Sequence, residues 1–155
     1  SYKYLLSRIR SEPELSRQQY LLAEERLGDI STRAMSVFSK AITKAIDVDY
    51  IQIKRKQNYK TLVAALGPFN ELQLLMGDQV PLCYPLMIKN ESKLRDLLKS
   101  KRVFTPNYWP NVIPLNSFEQ SLLENVVFLP VDHRYDSTHM AYLIDLILGF
   151  ANVAK

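Results

Sequence analysis

Both histidines of the chain lie in one short stretch, FLPVDHRYDSTHM at residues 128–140, together with Asp132, Arg134 and Asp136. Imidazole and carboxylate side chains this close could hold a metal ion, and a histidine beside an aspartate could move a proton. The spacing argues against the metal. A helix opening at Asp136 puts Asp136 and His139 on one face at i, i+3, whereas His133 precedes that helix and need not converge with them, and no HxxxH or HExxH pattern is present. The plainer expectation is a capped turn between a strand and a helix, with Asp132 and Arg134 in contact.

Other chemistry-bearing residues are sparse. Cys83 is the only cysteine, which excludes an intramolecular disulfide and a cysteine-based zinc site and suits a reducing compartment. Its setting, PLCYPLMI, is apolar, so it is expected in a core strand and not as an exposed, acidified nucleophile. The chain has four glycines, and none stands in a GxSxG, GxGxxG or P-loop pattern. The segment VFTPNYWPNVIP at 103–114 is less ordinary: Tyr108 precedes the single tryptophan, Trp109, and Pro106, Pro110 and Pro114 stiffen the run. A rigid aromatic loop suits a ligand or partner surface, and the same rings could equally plug the end of a sheet.

The densest basic run, IKRKQNYK at 53–60, offers Lys54, Arg55, Lys56 and Lys60. Together with Tyr108 and Trp109 as a stacking surface it could serve a free-standing module that binds single-stranded nucleic acid. Helical spacing makes it instead the solvated face of a helix. The net charge of +4 is mild for a specific nucleic-acid binder.

The elements that must position these groups can be read from caps and periodicity. Ser11, Glu12 and Pro13 open a first helix that Gly28 ends, and Ser31 can cap a second whose Ala34, Val37, Phe38, Ala41, Ile42 and Ala45 form one apolar stripe. Asp47 or Asp49 opens a third, with Ile51, Leu62, Val63 and Leu66 as its stripe, stopped by Gly67-Pro68. The pattern then changes to two apolar runs around Gly77-Asp78, a pair of strands, the second edge-like because of Pro81 and Pro85. Asn90 caps a helix bearing Leu94, Leu97 and Leu98, a strand is expected at 102–106, and Ser117 with Gln120 form a capping box for a short helix. VVFLPV is a buried strand. Asp136 or Ser137 caps a last helix with Met140, Leu143, Ile144, Ile147, Leu148 and Ala151 on one face.

The expected fold class is α+β: a helical arm followed by a small, mainly antiparallel sheet covered by helices. With 155 residues, 47% hydrophobic and 23% charged, one domain with its own core is the default. The start SYKYLLSRIR lacks the apolar core of a secretory signal, and AYLIDLILGFANVA is interrupted by Asp145 and short of the roughly 20 residues that span a bilayer. A soluble, cytoplasmic protein with no membrane partner is therefore expected.

The order of these pieces resembles the C-terminal small domain of fold-type I pyridoxal-phosphate aminotransferases, most nearly the DegT-type sugar-nucleotide group. The matching pieces are IKRKQNYKTLVAAL, PLCYPLMIK, ESKLRDLLKSKRVFTPNYWP and VVFLPVDHRYDSTHMAYLIDLIL, within residues 35–150. The resemblance implies that residues 1–34 are the connection from a missing large domain of the same polypeptide and that residues 35–155 are the small domain. It implies further that the cofactor's lysine lies outside this chain, which then holds no pyridoxal phosphate and catalyses nothing alone. The parent would be a homodimer acting on a small-molecule amino donor and acceptor. In the family the small domain forms one wall of the cleft over cofactor and substrate, and two loops match that wall. Tyr108 and Trp109 fall where a His-Tyr pair is common, a departure that removes an imidazole. His133 and Arg134 fall in the loop between the last strand and the last helix, where Arg134 is the residue best suited to hold an anion.

Overall fold

In the computed structural model, residues 7, 10, 13–25, 34–74, 77–108 and 111–153 are described. The chain falls into two compact units, Ser1–Ile46 and Asp47–Lys155. In the first, α1 spans Pro13–Glu25, with proline in its first turn, where its missing N–H would have had no helical partner. Helix α2 spans Val37–Ala45 and is capped by Ser36, whose Oγ accepts from Ser39 N at 3.0 Å. The expected cap at Ser31 and stop at Gly28 lie outside the described residues. The stripe is helical from Val37 on and finds no cover among the described residues: Val37 is 86% exposed and Phe38 74%.

The second unit holds the core. Helix α3, Val48–Leu66, opens at Asp47, whose carboxylate accepts from Tyr50 N at 2.9 Å, and ends in a 3-10 turn at Gly67–Phe69. Strand β1 is Cys83–Met87, α4 Glu91–Ser100, α5 Ser117–Asn125, β2 Val126–Pro130 and α6 Ser137–Val153. The strands pair antiparallel, from Cys83 opposite Pro130 to Met87 opposite Val126. Alternation sends Tyr84 and Leu86 of β1 inward, where they meet Val127 and Leu129 of β2. Leu62 and Leu66 of α3, Leu94 and Leu98 of α4, and Met140, Leu143 and Ile147 of α6 complete one cluster. The result is the α+β layer the sequence implied. No helix among the described residues is long and apolar enough to cross a membrane.

Four local expectations are corrected. Residues 71–74 form no strand, and of the proposed pair around Gly77-Asp78 only β1 exists among the described residues. A side chain has taken the strand's place: Asn70 Oδ1 accepts from Met87 N and Leu72 N, each at 3.0 Å, and its Nδ2 donates to Pro85 O at 2.9 Å. Glu71 N adds one rung to Met87 O at 2.9 Å, so the edge of β1 is satisfied without a further strand.

Residues 102–106 form no strand either. The chain leaves α4 with Arg102 in the left-handed region, φ 59°, while Arg102 N donates to Lys99 O and Val103 N to Leu98 O. That is a Schellman closure, which consumes the donors a strand would use and turns Val103 onto the core. The short helix α5 is boxed one residue earlier than expected, by Asn116 Oδ1 accepting from Glu119 N and Glu119 Oε2 accepting from Leu115 N. Asn90 does precede α4, but with φ 60° and no side-chain cap bond; it serves there by tolerating the left-handed turn.

Candidate functional site

The loop that follows β2 is fixed from beneath by one buried amide. Asn58, on α3, is 3% exposed, and its Nδ2 donates to Asp132 O and Tyr135 O at 3.0 Å each and to Val131 O at 3.4 Å. The loop closes on itself through Tyr135 N to Asp132 O at 3.2 Å. On its outer side Asp132 organises Arg134: Oδ1 accepts from Arg134 N at 3.1 Å and from Nε at 2.8 Å, and Oδ2 accepts from Nη2 at 3.0 Å. The Asp132–Arg134 contact read from the sequence is therefore a bidentate pair.

The other acid–histidine pair serves the helix. Asp136 Oδ1 accepts from His139 N at 3.0 Å and lies 2.7 Å from His139 Nδ1, so it caps α6 and His139 folds back onto it. Those bonds hold the Asp136 carboxyl below its usual range. Among the described residues no three histidine, cysteine or acidic side chains converge as a metal site would need.

The Arg134 side chain, by its hydrogen bonds first and its charge second, also holds the Asp132 carboxyl below the usual carboxylate range. A carboxyl depressed in the folded state adds stability above its unfolded pKa, about 4, and loses it as pH falls through the folded value. Since the Arg134 side chain is 64% exposed, solvent screening limits the pair to less than about 1 kcal/mol. Arg134→Ala is expected to cost no more than that at pH 7 in urea melts, with the difference from the unaltered chain shrinking below about pH 4. A constant difference across that range would remove the pair as its cause.

Beside this loop lies an open recess of about 520 Å³ lined by Ile51, Arg55, Val80, Asp132, His133 and Arg134. Arg55 enters it from α3 half-buried, with Nη1 donating to Pro81 O at 3.1 Å. The expectation that 53–60 is a solvated strip is thus corrected: Arg55 turns into the recess and Asn58 into the core. Arg55 also links the two loops that the sequence singled out. Its charge opposes the upward push that burial gives to the Tyr108 hydroxyl and to the Cys83 thiol. The Tyr108 ring packs edge-on against Phe128 of β2, centroids 4.9 Å apart; Trp109 lies outside the described residues.

Cys83 is half-buried on the sheet face opposite Tyr84, not in the core. Burial raises its thiol pKa, with Arg55 a smaller opposing influence, so little thiolate is present at neutral pH. Alkylation by iodoacetamide at pH 7.5 is expected to run several-fold slower than that of a free thiol peptide. Faster alkylation would show that the arginine outweighs burial.

The sequence offered Arg55 only as part of a basic strip, although a signal for its inward register existed. Ile51, Arg55, Asn58, Leu62 and Leu66 recur at helical spacing along one stripe of α3, so two polar side chains interrupt an apolar face. A polar residue in a buried register needs a partner, and both have one.

Solved aminotransferase structures share this fold. A DegT DnrJ EryC1 StrS aminotransferase from Brucella abortus superposes with a TM-score of 0.56 at 16% sequence identity, over 65% of this chain and 31% of its own. DesV from S. venezuelae, solved in complex with a ketimine intermediate, gives a TM-score of 0.51 at 17% identity, over 66% of this chain and 32% of its own. The chain spans about a third of the length of these aminotransferases, and at such identity the likeness is one of fold. No protein-family model matches the sequence, and no curated protein matches it.

Proposed function

We propose that this chain is the small domain of a pyridoxal-phosphate-dependent aminotransferase-like protein of the DegT type, forming one wall of the cleft where cofactor and substrate meet. The fold likeness to two aminotransferases carries the reading. The placement of Arg55, His133 and Arg134 around one recess supports the wall role, since a loop clamped by a buried amide can present polar groups at fixed positions. In this reading residues 1–34 connect to a large domain of the same polypeptide, and the exposed stripe of α2 is covered by what that domain or a second subunit supplies.

Lys56 and Lys60 line a recess of about 190 Å³ with Tyr59, Asp78 and Gln79, and in this reading that recess has no part in holding the cofactor. The cofactor and its lysine are assigned to the rest of the parent. When bound there, the cofactor supplies the electron sink for moving the amino group. This chain contributes orientation and exclusion of water.

The test is the complete reading frame. Its product is expected to extend well upstream of this chain, to take up pyridoxal phosphate with a visible absorption band, and to lose that band on addition of an amino donor. The 155-residue chain alone, mixed with the cofactor and dialysed, is expected to keep none. A complete product that takes up no cofactor overturns the proposal. A stoichiometric, borohydride-trappable adduct at one lysine of the short chain overturns the assignment of the cofactor's lysine elsewhere.

A further inference from the structure

We infer that the recess between α3 and residues 77–81 binds a small hydroxylated phosphate ester, with Lys56 and Lys60 holding the phosphate and Asp78 accepting from a hydroxyl of the same molecule. The recess measures about 190 Å³. Lys56 and Lys60 enter it from one face of α3 with Tyr59 between them in sequence, and Asp78 and Gln79 enter it from the facing loop. Among the described residues neither lysine lies within ion-pair distance of Asp78 or of any other carboxylate, and the Tyr59 hydroxyl and the Gln79 side-chain amide make no hydrogen bond. Opposite charges thus line one recess without meeting, and the space between them is open.

The scaffold holds that gap. Arg55 Nη1 donates to Pro81 O at 3.1 Å and fixes the end of the loop to α3, and the Gln79 side chain folds back over Gly77, its Oε1 3.0 Å from where a Cβ there would stand. The Tyr59 ring is backed by Tyr84, centroids 5.5 Å apart. Like charges at i, i+4 on a helix repel, and an anion seated between Lys56 and Lys60 turns that cost into attraction. Lysine is a point charge with three rotatable donors and suits a tetrahedral oxyanion, where a planar carboxylate calls for an arginine fork. A phosphate monoester carries about −1.5 to −2 charge at neutral pH, which two ammonium groups match. Asp78 sets the rest of the ligand: it meets a bare phosphate as a like charge, but accepts from a hydroxyl on the carbon chain of an ester. The inference holds whether or not the chain is part of an aminotransferase.

The experiment is a titration of the 155-residue chain, without cofactor, followed by backbone-amide NMR. The probes are glycerol 3-phosphate, methyl phosphate, inorganic phosphate and glycerol, at constant ionic strength. Saturable shifts with glycerol 3-phosphate are expected at Gly77, Asp78 and Gln79, with methyl phosphate and inorganic phosphate about tenfold weaker and no response to glycerol. Lys56→Met and Lys60→Met keep the aliphatic stem and are each expected to weaken both esters by about tenfold. Asp78→Ala is expected to bring glycerol 3-phosphate down to the level of methyl phosphate. Lys54→Met, which removes a neighbouring charge that does not line the recess, is expected to change binding less than about twofold.

Equal losses from Lys54→Met and Lys56→Met would mean general electrostatic attraction and overturn the proposal. Inorganic phosphate or methyl phosphate binding as tightly as glycerol 3-phosphate, or a preference that survives Asp78→Ala, would overturn the assigned ligand class. Vesicles of phosphatidylglycerol present a related headgroup on a membrane; capture by them with no response to the soluble ester would overturn its assignment as a free small molecule. Should a lysine variant fail to fold, the four probes on the unaltered chain decide alone: no saturable shift at Gly77, Asp78 and Gln79 sinks the inference. None of these readouts involves cofactor uptake by the complete product, so either reading can fail while the other stands.

Discussion

Asn58→Ala is expected to destabilise the folded chain by about 2–3 kcal/mol, more than a half-polar helix surface would suggest. One amide serves the carbonyls of Val131, Asp132 and Tyr135, and leaving a buried acceptor unpaired costs about 1–3 kcal/mol where a neutral hydrogen bond is worth only about 1. Part of the loop reaches solvent, so the three losses do not sum in full. For a chain of this length each kcal/mol lowers Tm by about 2–4 °C, well within the reach of a thermal melt. The same variant should release the recess: amide exchange at His133 and Arg134 is expected to quicken, since the clamp beneath them is gone. Asn58→Asp should be worse than alanine, because a carboxylate would face carbonyl oxygens. A loss under about 0.5 kcal/mol for alanine would mean that the loop is held by its own turn and by buried Val131, and would remove Asn58 from the account of the site.

Leu66→Ala should produce the largest effect of all. Leu66 is 0% exposed at the end of α3 and belongs to the cluster shared with β1, β2, α4 and α6. Truncating such a leucine costs about 2–5 kcal/mol, combining lost burial with the cavity left behind, and natural domains have only about 5–15 kcal/mol to lose. The unaltered chain is expected to melt cooperatively and the variant to melt about 5–20 °C lower or to lose cooperativity. Leu115→Ala is the control. Leu115 is 88% exposed, so its removal should fall within about 0.5 kcal/mol of no effect. If the two leucines proved equivalent, the Asp47–Lys155 core described above would be wrong.

The sequence by itself determined the helices, because the signals for them are local. Asp47 before a 3.6-period stripe, Pro13 in a first turn and Gly67-Pro68 at an end act within a few residues, and all three behave as their chemistry dictates. The core lists of α3, α4 and α6 followed from the same periodicity. Strand pairing was less legible. The run at 71–74 has strand-like residues, yet Asn70 satisfies the edge of β1 from its side chain, and no local pattern announces that an amide will replace a ladder. The donors of 102 and 103 were likewise spent on closing α4.

The site was half legible. The pairing of Asp132 with Arg134 spans two residues and could be read directly, as could a cap of α6 at Asp136 or Ser137, of which the structure uses Asp136. What the tertiary structure alone decided is which distant groups meet there. Asn58 and Arg55 are single polar residues on an apolar stripe, and the stripe says only that they point inward. That Asn58 reaches Val131, 73 residues away, and that Arg55 joins the wall holding His133 and Arg134 while acting on Tyr108, depends on how α3 packs against β1, α6 and the loop after β2. Periodicity fixes the face of a helix; only the packing of that face against other elements fixes what each polar side chain on it finds.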